Sequence, residues 1–301
     1  MEKERLVLID GHAVLYRAFH AFPVLTTPKG ELVNAVYGFT SILLTVIEEF
    51  RPSHIAVTFD RDKPTFRHTQ YVGYKAQREE MPTDLSDQQN RVEEVVMVLN
   101  MPIFAVEGFE ADDVIGTLAV QANVPVMIVT GDKDALQLVD KQKVVVYMPG
   151  RGKIPAKIYD QDLVEKEYGF KPKQIIDLKG LAGDASDNIA GVKGVGPKTA
   201  TQLLQKFGSV ERIYENLDQV REEFRERVAQ LLIDGHESAI LSKKLATIVT
   251  DVPITLDLAA CAVHDYDKDK TIKLFEDLGF RSLIKKLPND DFEQMVQETL
   301  L

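Results

Sequence analysis

The sequence predicts an α/β fold, a mainly parallel central sheet flanked by helices, continued by a helical subdomain. Three observations carry this. Short apolar runs alternate with amphipathic helical patterns through the first half of the chain. Three of those runs close on an aspartate, at Asp10, Asp60 and Asp132. From about Gln174 the strand patterns stop and helical ones take over.

Taken in order, Arg5 to Asp10 is an apolar run of the buried parallel-strand type, and a helical pattern follows from Ala13 to Ala21. Asn34 to Phe50 repeats Val36, Phe39, Leu43, Val46, Ile47 and Phe50 at helical spacing and stops before Pro52. His54 to Asp60 is the second strand, and Gln89 to Leu99 is a helix. Glu110, Asp112 and Asp113 open the next helix, which continues from Val114 to Ala122. Val124 to Thr130 is a third strand ending in Gly131-Asp132-Lys133-Asp134, and Val144 to Met148 a fourth. Beyond Gln174, helices are expected at Ile175 to Leu181, Pro197 to Phe207, Arg221 to Ile233, Glu237 to Leu245 and Lys268 to Leu278. Pro197 suits the first position of its helix. The acidic end from Asn289 is expected to fray or to form a loose helix.

With 301 residues and 45% hydrophobic content the chain can bury a full core. No run approaches the roughly 20 apolar residues of a membrane span, and the N-terminal residues lack a signal-peptide core, so a cytoplasmic location is expected. One cysteine, Cys261, excludes an internal disulfide and a thiolate zinc cluster. A net charge of −11 argues against a nonspecific coat for nucleic acid. Carboxylates gathered around divalent ions, however, contribute negative charge without repelling a phosphate once metal is bound.

Ligands of parallel α/β sheets bind outside the carboxyl ends of the strands. Asp10, Asp60, Asp132 and Asp134 stand there, and the first turn of the helix bearing Glu110, Asp112 and Asp113 reaches the same edge. Asp184 and Asp187 lie in a glycine-bounded turn. One such carboxylate alone is as well explained as a helix cap. All nine at one edge would repel unless cations sat among them. Hard oxygen donors suit Mg²⁺ or Mn²⁺, and two ions about 4 Å apart are the arrangement that cleaves phosphodiesters.

Residues 61–78 hold Arg61, Lys63, Arg67, Lys75 and Arg78 against the single acid Asp62, interleaved with Phe66, Tyr71 and Tyr74. Basic and aromatic residues interleaved in this way hold single-stranded nucleic acid. Composition alone favours a solvated loop; the adjacent carboxylates favour the nucleic-acid reading. Gly191 to Ala200, with Lys193, Gly194, Gly196 and Lys198, has the form of a glycine-rich hairpin between helices that grips a duplex backbone. Its glycine spacing is not that of a P-loop. Asp265, Asp267, Asp269 and Glu276 imitate a calcium loop, but Lys270 stands where glycine is needed, and helix capping is the better reading. The six histidines include no metal-binding pair, and His12 is at most a weak general-base candidate.

Leu8-Ile9-Asp10-Gly11-His12, Phe59-Asp60, Phe66-Arg67-His68, Tyr74 to Arg78, Glu110 to Asp113, Gly131 to Asp134 and Gly183 to Thr199 occur together and in order. In these motifs the chain, from about Arg5 to Leu287, resembles the 5′ nuclease domain of bacterial DNA polymerase I, the 5′→3′ exonuclease and flap endonuclease family. The resemblance implies the PIN-like 5′ nuclease fold, with a metal-binding core over 1–173, a helical arch near 61–85, a DNA-binding subdomain over 174–287 carrying a helix-hairpin-helix-type motif near 183–200, and an acidic tail over 288–301. It implies a first metal site at Asp10, Asp60, Glu110 and Asp112 with Asp113 nearby. The second would comprise Asp132, Asp134, Asp184 and Asp187. Lys75 and Arg78 would act on the scissile phosphate beside the catalytic Asp10, Asp60 and Asp112. Arg67, Tyr74, Lys75 and Arg78 would contact DNA, as would Lys193, Gly194, Gly196 and Lys198, with K⁺ at that hairpin.

The implied reaction is metal-dependent hydrolysis of DNA at or near 5′ flap junctions and from 5′ ends, in replication and repair, with Mg²⁺ as the usual ion and Mn²⁺ as a substitute. The expected substrates are 5′ flaps, nicked or gapped duplexes and RNA-primed strands, and the expected state is a monomer. The chain reads as a stand-alone nuclease or as the N-terminal piece of a longer polymerase. Two other readings stand beside it: a noncatalytic branched-DNA binder that has kept the fold, and a PIN-domain ribonuclease, which the helical region beyond Gln174 disfavours.

Overall fold

The computed structural model describes residues 4–61, 63–78, 81–150, 152–263 and 266–289. Asp62, Asp265 and the acidic end from residue 290 lie outside them. Six strands form one sheet: β1 (Leu6–Asp10), β2 (His54–Thr58), β3 (Ile103–Phe104), β4 (Val126–Val129), β5 (Val144–Met148) and β6 (Lys157–Tyr159). Their order is β3-β2-β1-β4-β5-β6, parallel except for the antiparallel edge strand β6. Strand β1 lies at the centre, in register with β2 from Leu6 opposite His54 to Asp10 opposite Thr58.

Alternation along β1 assigns its two faces. Leu6 and Leu8 face the layer containing α5 (Ala111–Gln121), whereas Val7 and Ile9 face α1 (Gly11–Ala21), α2 (Asn34–Phe50) and α4 (Thr83–Val98). Burial on both faces explains why the strand reads as an unbroken apolar run. The short helix α3 (Phe66–Gln70) and the turns at 72–78 occupy the region expected as an arch. After β6 come α6 (Gln161–Tyr168), α7 (Ile175–Ala182), α8 (Pro197–Phe207), α9 (Val210–Glu215), α10 (Leu217–Phe224), α11 (Glu226–Asp234) and α12 (His236–Ala246). The chain then returns to the first layer as α13 (Lys268–Asp277) and α14 (Arg281–Ile284), whose neighbourhood buries Phe275 and Phe280 with Phe39.

The helix expected from Arg221 to Ile233 is instead two. Arg225 takes a left-handed φ of 78°, and the bend lets Val220 of α10 and Ala229 and Leu232 of α11 face the same core. Asp267, part of the apparent calcium loop, caps α13 by accepting the Lys270 N–H at 3.0 Å. Among the described residues no helix is long and apolar enough to cross a membrane.

Candidate metal centre and nucleic-acid interface

Strands β1, β2 and β4 run parallel, so Asp10, Asp60 and Asp132 emerge at the same sheet edge. Asp10 is both the last residue of β1 and the N-cap of α1. One carboxylate oxygen accepts the Ala13 N–H at 3.0 Å and the other the Thr130 hydroxyl at 2.7 Å. Asp60 accepts the Ala111 N–H at 2.7 Å, docking the start of α5 onto the end of β2, and its own N–H donates to His12 Nδ1 at 3.1 Å. Asp132 accepts the Asp134 N–H at 2.9 Å in a turn held by Thr130.

These residues open on a cleft of about 630 Å³. Asp10, Asp60, Glu110, Asp112 and Asp132 line it, Lys75 and Arg78 project into it, and His12, Tyr16 and Met81 complete its wall. Beside it, ligand atoms of Asp134, Asp184 and Asp187 lie within 4.8 Å of one another. Eight of the nine expected carboxylates therefore gather in two adjoining groups.

Crowding shows in their acidities. Burial, with the charges of Asp60 and Asp132, pushes Asp10 up to about 7. Burial beside Asp10, Asp132 and Asp134 raises Asp112 well above the ordinary range, and burial with Asp132 raises Asp134 to about 6. Asp184 goes the other way. Burial opposes its charge, but hydrogen bonds from Lys179 and Ser186 bring it down to about 2.

Tethered cations reach the same groups. Lys75 Nζ lies 2.7 Å from Glu110, and Arg78 lies 2.7 Å from Asp187. Lys179, on α7, bridges Asp134 and Asp184. Burial works against the Lys75 ammonium, yet Glu110 and Asp187 hold its pKa above the ordinary lysine value. Tyr74 donates its hydroxyl between Glu110 at 3.1 Å and Asp187 at 3.3 Å, and burial beside those charges keeps the phenol protonated.

The structure gives three residues places other than the expected ones. Asp113 is fully buried behind the cleft, with both oxygens engaged by Arg67 at 2.7 and 2.8 Å, so it offers no open ligand position. Arg67, expected on DNA, is that buried partner. Tyr74, also expected on DNA, is 3% exposed and positions two carboxylates. Sequence reasoning missed Lys179; its place in the last turn of the helix before Asp184 was the available signal.

The hairpin lies past Asp187. Gly183 and Gly191 have φ of 74° and 62°, and a Cβ on Gly191 would stand 2.2 Å from the Gly183 nitrogen, so the two strands of the loop touch backbone to backbone. Helix α12 holds this loop: Ser242 Oγ accepts the Gly191 N–H at 3.0 Å, and Ser238 Oγ donates to the Gly191 carbonyl at 2.6 Å. Lys193, Gly194, Gly196 and Lys198 face solvent at the N-terminus of α8.

Two adjoining family descriptions match the chain: 5′-3′ exonuclease, N-terminal resolvase-like domain, over residues 5–169, and 5′-3′ exonuclease, C-terminal SAM fold, over residues 170–269. The DNA polymerase I of Bacillus subtilis is 40% identical over 99% of this chain and 34% of its own length. That of Chloroflexus aurantiacus is 46% identical over 94% of this chain and 31% of its own. The chain thus spans about a third of the length of these curated relatives. Among solved structures, the T5 D15 protein co-crystallised with metal ions matches with a TM-score of 0.68 at 21% identity, over 92% of this chain and 99% of that one. The catalytic core of Rad2 in complex with DNA substrate matches with a TM-score of 0.64 at 16% identity, over 95% and 94%. At these identities the structural likeness is one of fold.

Proposed function

Because the chain belongs to the 5′-3′ exonuclease family, we propose that it is a structure-specific nuclease that hydrolyses DNA phosphodiesters at or near 5′ flap junctions and from 5′ ends. One observation carries the reading: Asp10, Asp60, Glu110, Asp112 and Asp132 line one cleft together with Lys75 and Arg78. The donor set fits divalent cations of the Mg²⁺ and Mn²⁺ type. It is all carboxylate, and Asp10, Asp112 and Asp134 are pushed toward protonation by burial and then by one another, a cost that a cation relieves.

Asp10, Asp60, Glu110 and Asp112 would hold one ion, and Asp132, Asp134, Asp184 and Asp187 the other. When bound, such ions generate a hydroxide nucleophile from water and stabilise the leaving oxygen. Lys75 and Arg78 supply positive charge to the scissile phosphate, which otherwise meets a wall of carboxylates. Tyr74 fixes Glu110 and Asp187 with its proton. Asp113 supports the first group from behind, through α5. The exposed Lys193, Gly194, Gly196 and Lys198 grip the duplex backbone without reading sequence, with K⁺ as a further ion at the hairpin. The division of labour would largely follow the chain, core over 1–173 and duplex grip within 174–287, except that α13 and α14 pack back on the core. The chain would act as a monomer in the cytoplasm, either as a stand-alone nuclease or as part of a longer polymerase, and the greater length of the DNA polymerase I relatives supports the second.

The test is a 5′-labelled flap duplex incubated with the chain in Mg²⁺ and in EDTA, with products sized on a gel. The expected result is a short, discrete, metal-dependent product cut near the junction. Asp112→Ala should abolish cleavage and leave flap binding measurable; wild-type turnover by that variant would overturn the site assignment. Tight flap binding by the unaltered chain without cleavage in Mg²⁺ or Mn²⁺ would favour the noncatalytic binder.

A further inference from the structure

The last residues of α12 and the extended segment that leaves it, together residues 245–256, are held through their backbone by side chains from three separate elements. Arg67, in α3, donates Nε to the Leu245 carbonyl at 2.9 Å and Nη2 to the Thr247 carbonyl at 2.8 Å. Gln137, just past the Asp132/Asp134 turn, donates to the Ala246 carbonyl at 3.1 Å and accepts the Ile248 N–H at 2.9 Å. Helix α5 supplies the rest. Asp113 accepts the Val249 N–H at 3.0 Å and Thr117 accepts the Val252 N–H at 3.1 Å. Gln121 donates to the Ile254 carbonyl and accepts the Leu256 N–H, both at 2.8 Å.

The spacing is the helix's own. Asp113, Thr117 and Gln121 recur every four residues, so one polar stripe of α5 faces the segment along its length. Gly116 lets them approach, since a Cβ there would stand 2.8 Å from Ile248. Arg67 and Asp113 complete the assembly as a buried pair with two hydrogen bonds, and the Glu110 N–H donates to Asp113 at 3.2 Å.

Each element holding the segment also carries part of the site. Arg67 stands at the foot of the turns bearing Tyr74, Lys75 and Arg78; Asp113 lies in the first turn after Glu110; Gln137 follows Asp134. The preceding turns of α12 hold the hairpin at Gly191 through Ser238 and Ser242. We propose that residues 245–252 are a positioning strap, and that Arg67, Asp113 and Gln137 are positioning residues. Through them the duplex-gripping hairpin fixes where the carboxylates and Lys75 stand. The proposal rests on the nuclease reading for its consequence, not for its geometry.

Polar groups read the backbone here, rather than apolar side chains alone. Each hydrogen bond fixes the register between strap and element to a fraction of an ångström, which apolar packing does less sharply. A displacement of about 1 Å in a catalytic constellation costs about 10²-fold in rate.

Gln137→Ala tests this, because it removes two strap contacts without stranding a buried charge. Thr271→Val is the control. Thr271 is buried on α13, whose core residues lie in the other layer from the strap's Val252, and its hydroxyl lies within donating distance of the Asp267 carbonyl at 2.9 Å and the Val98 carbonyl at 3.1 Å, so its loss lowers stability by a separate route. Both are assayed at the same interval below their own Tm. For Gln137→Ala, kcat on a flap should fall about tenfold or more, while Kd for a duplex in EDTA stays within about twofold. Thr271→Val should change neither.

A second readout needs no cleavage. In hydrogen exchange with EDTA present, duplex should slow exchange at 191–200 in both proteins, and at 110–114 in the wild type but not in Gln137→Ala. Equal kcat for Gln137→Ala and the control, or equal protection at 110–114 in wild type and variant, would reduce the strap to a structural tie. A wild-type chain that cleaves no flap would overturn the nuclease reading instead, and the exchange pattern would still decide the strap.

Discussion

Asp10→Asn separates the stability of the carboxylate cluster from its use. Asparagine keeps the shape of the side chain, an oxygen for the Ala13 N–H and contact with Thr130, whose hydroxyl can turn to accept instead of donate. What it removes is a buried charge facing Asp60 and Asp132. Asp10 is raised from 3.8 to about 7, and holding it ionised above that pH corresponds to on the order of 4 kcal/mol. A folded-state pKa above the unfolded one means that this stability is present in full below about pH 4 and is lost as pH rises through about 7. Asparagine does not titrate. In EDTA the variant should therefore gain on the wild type as pH rises from 4 to 7 and hold the gain at pH 8. About 2–4 °C in Tm for each kcal/mol makes the full gain about 8–16 °C. Mg²⁺ should raise the wild-type Tm increasingly with pH, as the ion takes the proton's place, and should raise the variant's less. Cleavage by the variant should fall by about 10³-fold or more. Differential scanning fluorimetry from pH 4 to 8, with and without Mg²⁺, reads the stability arm. A variant less stable than wild type in EDTA at pH 8, by the same margin as at pH 5, would refute the idea that the buried, crowded charge of Asp10 loads this site.

Lys75→Ala should slow turnover by about 10²–10³-fold and raise flap Kd by less than about tenfold, measured by single-turnover cleavage and fluorescence anisotropy; equal losses in both would make Lys75 a positioning contact. Gly191→Ala should cost about 2–3 kcal/mol or more, from its left-handed φ and the collision with Gly183, and should weaken duplex binding. An unchanged Tm with wild-type affinity would show that the hairpin adapts.

The elements read most accurately are those whose ends are marked in the chain. The helices at Asn34–Phe50 and Pro197–Phe207 match their expected bounds because Pro52, Pro197 and Gly208 punctuate them. The strands that end on acidic turns were legible because burial on both faces writes a continuous apolar run. Strand β3 has two residues, too few for a pattern, and β6 is an edge strand that leaves Ile158 exposed. The break at Arg225 carries no glycine or proline and is set by packing between distant helices.

The site divides along the same line. Carboxylates at strand ends are placed by local sequence, so their convergence could be anticipated from the parallel topology. Partners are placed by tertiary structure, and one-dimensional charge counting cannot tell a buried guanidinium from a solvated one. Arg67 sits in a run of basic residues that looks like an exposed face, yet its partner Asp113 is 46 residues away. Gln137 carries no charge and no motif, and only the strap's backbone reveals what it holds.

The net charge of −11 misdescribes what an approaching phosphate meets. Glu110, Asp134, Asp184 and Asp187 are each paired with Lys75, Lys179 or Arg78. Asp10 and Asp112 have no cation within ion-pair distance among the described residues; Asp10 is buried and Asp112 partly so. Unpaired negative charge thus lines the cleft, and it is deepest at Asp10, where burial makes a bound cation most favourable. Its side wall presents Lys75 and Arg78. The hairpin presents Lys193 and Lys198 to solvent. A polyanion meets the exposed Arg78, Lys193 and Lys198 before the buried Asp10. An acidic chain can thus still offer cationic groups to a phosphate, because the fold sets exposed Arg78, Lys193 and Lys198 apart from its buried carboxylate.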